Sequence, residues 1–99
     1  MQQQEAATRR PLFSLGQVVA TPGALEAFAA TGELITSYVA KHQAGEWGTL
    51  DRHDIRANEQ ALKHGARLLS AYQLRDDTTI WIITEADRSS TCVLLPEEY

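Results

Sequence analysis

Three histidines, one cysteine and a scatter of hydroxyls and carboxylates are the side chains of this sequence that have chemistry to offer. His42, His53 and His64 lie 11 residues apart, whereas two metal ligands on one helix face want a spacing of about four. They read as structural or surface histidines. Asp51, Asp54 and Glu59 are close enough in sequence for general acid and base work, but the first two sit where a helix start needs them. Ser70, Ser89, Ser90, Thr84 and Thr91 lack the G-x-S-x-G elbow that exposes a serine nucleophile. The six glycines are dispersed, so no loop is built to cradle a phosphate. Cys92 is the only cysteine, which excludes an internal disulfide and a cysteine-based zinc site. Its place inside an apolar run marks a buried structural thiol, since reactive thiols need an exposed, electropositive setting. No catalytic residue, metal or cofactor follows from these residues, and the expectation is a non-enzymatic protein.

The elements that must position these side chains are clearest in the C-terminal third. RLLSAYQL (67–74), TIWIIT (79–84) and TCVLL (91–95) are strand-length and rich in β-branched or aromatic residues, and the turn signals RDDT and ADRS separate them. They read as one antiparallel meander. Upstream, LFSLGQVVA (12–20) suggests a brief strand that joins the sheet edge, with Gly16 as a bulge or turn. Thr21 followed by Pro22 is a helix-start signature, and a short helix runs to about Ala30, ended by Gly32. A second helix is expected from Glu33 to Gln43, with Leu34, Ile35, Tyr38 and Val39 on one face. Asp51 as N-cap, Asp54 at the third helical position and a Leu50–Ile55 staple start a third helix. It ends at His64 with Gly65 as its cap and shows a narrow stripe of Ile55, Ala61 and Leu62.

The expected architecture is α+β, with two or three helices on a three- or four-stranded, mainly antiparallel sheet. Its 99 residues, 43% of them hydrophobic, make one domain over residues 11–99 behind a polar, flexible tail over 1–10. No apolar run reaches about 18 residues and the N-terminus lacks a signal-peptide core, so a cytoplasmic protein with no membrane contact is expected.

The net charge of −4 is unevenly placed. Residues 1–74 hold seven acids and seven bases; residues 75–99 hold six acids against Arg75 and Arg88. An acidic chain makes nucleic acid a poor main partner, because phosphate binding needs a basic face. The acidic turns instead suit a basic protein surface, or simply solvate the fold. The candidate partner-binding residues are therefore Trp47, Asp76, Asp77, Glu85, Asp87 and Arg88. Trp47, between Gly45 and Gly48, either plugs the core edge or anchors a partner. Arg88 offers a fork to a carboxylate or phosphate within a small polar turn over 84–91, the alternative small-ligand site. The alternative nucleic-acid reading uses Arg52, Arg56, Lys63 and Arg67 around the third helix. In the middle strand Ile80 and Ile82 share one face, and Trp81 and Ile83 the other. Such a strand is covered on both sides, or on one side by a second subunit, which makes a homodimer a further expectation.

The segments LGQVVATPGALE (15–26), WGTLD (47–51), ALKHGARLLSAY (61–72), IWIITEADRSST (80–91) and LLPEEY (94–99) together resemble a family of small plasmid-related bacterial proteins. The similarity spans about residues 12–99. Members often carry the label of a type I restriction-modification subunit, although this chain has no methyltransferase cofactor loop. The resemblance implies a mobile genetic element as genomic company. By analogy it implies action through an unidentified protein partner, with inhibition of a host defence system as one such role.

Overall fold

A computed structural model describes residues 10–99; of the expected N-terminal tail, residues 1–9 lie outside the described residues. The chain folds as α+β, in the order β1 (Gln17–Ala20), α1 (Pro22–Thr31), α2 (Ile35–Gln43), α3 (Arg52–His64), β2 (Leu68–Gln73), β3 (Thr79–Thr84) and β4 (Ser90–Leu94), closed by a 3-10 turn, Pro96–Glu98. The sheet order is β1-β4-β3-β2. β2, β3 and β4 form the antiparallel meander, and β1 joins its edge parallel to β4, which makes the sheet mixed.

Local chemistry accounts for the helix ends. Thr21 Oγ1 accepts from the Ala24 N–H at 3.1 Å, and Asp51 Oδ1 accepts from Asp54 N–H at 2.9 Å, so each N-cap satisfies an otherwise orphaned donor. Gly32 and Gly65 end α1 and α3. The second helix begins at Ile35 and not at Glu33, because Glu33 is drawn to two other groups. Its carboxylate accepts from the Tyr38 hydroxyl at 2.5 Å and from the Arg75 N–H at 2.9 Å. Those donors, the Arg75 backbone first, hold the Glu33 carboxyl below its ordinary range.

Strand pairing fixes which residues share a face. On one face lie Leu68, Ser70 and Tyr72 of β2, Ile80, Ile82 and Thr84 of β3, and Thr91 and Val93 of β4. The helices cover this face. α1 and α2 contribute Ala24, Phe28 and Val39 to one apolar cluster, and Trp47 and Ala61 meet Leu68 in a second. On the opposite face lie Leu69, Ala71, Trp81, Ile83, Cys92 and Leu94, and none of these belongs to either cluster. β3 is interior, as its two apolar faces predict, but its helix-covered face is much better filled than the other.

The free edge of β2 is sealed. Asn58, buried on the inner side of α3, donates to the Leu69 carbonyl at 2.7 Å and accepts from the Leu69 N–H at 3.1 Å, so its amide stands in for a neighbouring strand. Two residues on, Ala71 donates to the Trp47 carbonyl at 3.1 Å and accepts from Thr49 N–H at 2.7 Å. Gly48 lies between them, its φ of 82° and its closeness to the Ala71 carbonyl both excluding a side chain.

Candidate functional site

The residues chosen from the sequence do not assemble into one site. Trp47 is 7% exposed, packed against Ala61 and Leu68 and stacked on Phe13 with ring centroids 6.3 Å apart. It is the core plug, and a partner cannot use it as an anchor. Asp76 and Asp77 sit in the β2–β3 turn, while Glu85 and Asp87 sit in the β3–β4 turn. The six residues of β3 hold the two pairs about 20 Å apart, so the acidic turns form two ends and not one surface. Asp76 and Asp87 each cap their own turn, accepting from Thr78 N–H at 3.1 Å and Ser89 N–H at 3.0 Å. The side chains of Thr78 and Ser89 first, and then these backbone bonds, hold the two carboxyls below their ordinary range.

Arg88 is a brace and not a free fork. Its guanidinium donates to the Ala66 carbonyl at 2.6 Å, to Glu85 and Ala86 at 3.1 Å and to Ala61 at 3.1 Å, and it lies 5.8 Å from the Phe13 ring centroid. A cation on the carbonyls that end α3 meets the negative end of the helix, tying the β3–β4 turn to it. The small-ligand reading of the 84–91 turn loses its anion binder. Arg52, Arg56 and Lys63 are exposed along α3 with Glu59 among them. Arg67 is not part of that stripe, since it bonds to Tyr99 on the other side of the sheet.

A buried polar chain escaped the sequence reading. Thr91 Oγ1 donates to the Leu15 carbonyl at 2.8 Å, which leaves it to accept from Thr84 Oγ1 at 2.7 Å. Thr84 in turn accepts from His42 Nε2 at 2.9 Å, and His42 Nδ1 therefore accepts from the Ser70 hydroxyl at 2.5 Å. One end of the chain fixes every donor along it. His42, Ser70, Thr84 and Thr91 are all 0% exposed. The imidazole is packed edge-on to Phe13 and Trp47. Burial pushes its pKa down from 6.5 to about 4, so it is neutral at pH 7. A Ser–His pair invites a nucleophile reading, yet Nε2 meets a hydroxyl and not a carboxylate, and the pair is sealed from any substrate. It holds α2, β2, β3, β4 and the strap before β1 together.

At the start of α3, ligand atoms of Asp51, His53 and Asp54 lie within 4.8 Å of one another. The N-cap accounts for Asp51, and His53 Nδ1 lies 3.6 Å from Asp54 Oδ1.

What remains is the face that no helix covers. Arg67, Leu69, Trp81, Ile83 and Tyr99 line an open groove of ≈ 290 Å³ across it. Leu69 and Ile83 form a floor of cross-strand partners, Trp81 is a partly exposed wall, and Tyr99 is the opposite wall at 69% exposure. The two rings meet edge to face with centroids 5.8 Å apart. Arg67 donates to the Tyr99 hydroxyl at 2.8 and 2.7 Å. Among the described residues Arg75 pairs with the Glu33 carboxylate, whereas Arg67 is a cation with no carboxylate beside it.

Glu98 sets the position of Tyr99. Its carboxylate accepts from Thr21 Oγ1 at 2.5 Å, Gly23 N–H at 3.1 Å and Leu95 N–H at 2.8 Å, pinning the C-terminal turn to the start of α1. The Thr21 hydroxyl, then the Leu95 amide, hold this carboxyl below its ordinary range. Cys92 shares the row Val19–Cys92–Ile83–Leu69 on the open face. It is half-buried there and not enclosed as its apolar run predicts, and burial pushes its thiol up, away from thiolate reactivity.

Comparison with known proteins returned no matching family model, no matching curated protein and no matching solved structure. No helix among the described residues is long and apolar enough to cross a membrane.

Proposed function

We propose that this protein acts by binding another protein through the open face of its sheet. One observation carries the reading: a four-stranded sheet has one face closed by helices and the other lined by Leu69, Trp81, Ile83 and Cys92 around a groove of ≈ 290 Å³. Aromatic side chains and an arginine around a partly desolvated pocket are the composition of an interface anchor. The partner's matching element is an apolar side chain that enters between Trp81 and Tyr99, flanked by a carboxylate that reaches Arg67. The remaining acidic surface, with a net charge of −4, favours a partner that is basic around that anchor.

The resemblance to plasmid-related proteins supports a bacterial host protein as the target and occlusion of a defence component as the role. Steric cover by the open face takes the place of charge mimicry by the turns, because the two acidic turns stand at opposite ends of the sheet.

Affinity capture from a bacterial lysate, comparing wild type with Leu69→Glu, identifies a protein retained only by wild type. Titration of that protein in purified form is then expected to show a loss of at least about 2 kcal/mol, some 30-fold, in Leu69→Glu and in Trp81→Ala. Arg67→Glu is expected to weaken binding, because the partner's carboxylate then faces a like charge in the groove. Identical retention by wild type and Leu69→Glu, with both folded by circular dichroism, refutes the proposal.

A further inference from the structure

The two edges of the sheet are treated differently. Beyond β2, the Asn58 amide and the 47–49 segment take the outward backbone groups of Leu69 and Ala71. Beyond β1 nothing among the described residues takes their equivalents. Gln17 N–H bonds to the Ser89 carbonyl at 3.0 Å and Thr21 N–H to the Val93 carbonyl at 3.0 Å. Alternation along the strand therefore turns the N–H and C=O of Val18 and Ala20 away from β4. Val18 and Val19 are each 44% exposed. The strand QVVA carries no lysine, no proline, no bulge and no inward-pointing charge, so its guard as an edge is its length of four residues alone.

From this contrast we infer that β1 is a self-pairing edge, and that a second copy of this chain adds to it antiparallel about a two-fold axis at Val19. Two features suit this edge to a second copy. The strand carries no charge, so an acidic molecule can approach its own copy there without opposing like charges. It is also self-complementary in register: an axis through Val19 places Val18 opposite Ala20 of the copy, and the reverse. Those residues carry the outward donors and acceptors, so each pair exchanges reciprocal hydrogen bonds. A shift by one residue would put the faces out of step. In the Val19-centred register, Val19 meets Val19 on the open face, and the row Val19–Cys92–Ile83–Leu69 continues into the copy. The product is one eight-stranded sheet with two grooves on the same side, able to engage a two-fold symmetric target at both grooves.

Three residues of each strand pair in this register, Val18, Val19 and Ala20, and they bury well under the ~800 Å² per partner of a standard interface, so the association is weak and depends on concentration. Sedimentation of the full chain from about 20 µM up to about 1 mM, a concentration that reaches a millimolar dissociation constant, tests it. The mass is expected to rise from 11.0 kDa toward twice that value. Val18→Pro removes an outward N–H that β4 does not use, so it is expected to keep the far-ultraviolet spectrum and remain monomeric. Val18→Lys, a natural kind of edge guard, should do the same. Leu69→Glu, on the open face, should still associate. A wild-type mass fixed at 11.0 kDa overturns the inference, as does association of Val18→Pro equal to wild type. Loss of association in Leu69→Glu but not in Val18→Pro would place the second copy on the open face and overturn it too. None of these outcomes bears on capture of a host partner.

Discussion

Acidification should loosen this protein through one residue before its carboxylates respond. His42 is neutral and fully buried, held by Ser70 and Thr84 hydroxyls and by the rings of Phe13 and Trp47. Its folded-state pKa of about 4 lies below the ordinary 6.5. Between those two values the unfolded chain binds a proton that the folded one refuses, so stability is complete above pH 6.5 and falls as pH drops toward 4. The linkage integral gives a loss of about 2 kcal/mol by pH 5 and about 3 kcal/mol by pH 4. The lowered carboxyls of Glu33, Asp76, Asp87 and Glu98 begin to contribute only as pH falls toward their ordinary values of 4.5 for glutamate and 3.8 for aspartate. The interval from pH 7 to about pH 5 therefore isolates the histidine. Urea unfolding at half-unit steps across that interval should show the midpoint falling, and His42→Gln, which does not titrate, should flatten the slope. A wild-type midpoint that stays constant from pH 7 to 5 would refute the reasoning. So would a His42→Gln protein with the wild-type slope, because burial of this ring would then not be the source.

Two further perturbations test the sealed edge. Asn58→Ala leaves the Leu69 N–H and C=O without partners and should cost about 2 kcal/mol, lowering the melting temperature by about 10 °C; an unchanged melting temperature would mean that water replaces the amide freely. Gly48→Ala should be worse than Gly65→Ala by at least about 2 kcal/mol, although both glycines are left-handed. An added Cβ at Gly48 would come within 1.8 Å of the Ala71 oxygen, whereas at Gly65 it meets open space. Denaturant unfolding of the two variants gives the comparison, and equal losses would remove the steric part of the account.

Most of what the sequence made legible concerns short-range chemistry. The caps at Thr21, Asp51, Gly32 and Gly65, the three helices and the three meander strands are signalled by residues within a few positions of one another. The buried polar groups that were missed, Asn58 on the β2 edge and the His42 chain, also had a signal, in polar residues placed at apolar period. Asn58 lies between Ile55 and Leu62 on the stripe of α3. His42 follows Ile35, Tyr38 and Val39 on the inner face of α2. Ser70 alternates with Leu68 and Tyr72, and Thr84 follows Ile82. Each is what a polar residue looks like when its partner lies far off in sequence, and the sequence does not contain that partner's location. Trp47 shows the same limit: a large ring between glycines reads equally as plug or anchor until Phe13, Ala61 and Leu68 close around it.

The open face combines both kinds of information. Alternation in TIWIIT determined that both faces of β3 are apolar, because side chains in a strand alternate by necessity. Which face the helices would cover, that β1 would lie parallel to β4 with its outer edge free, and that Arg67 would reach Tyr99 across 32 residues were decided by tertiary structure. The physical reason is range. Capping, turn formation and alternation are fixed by neighbours along the chain, whereas burial and the pairing of distant polar groups depend on which surfaces meet, and only the packed chain brings them together.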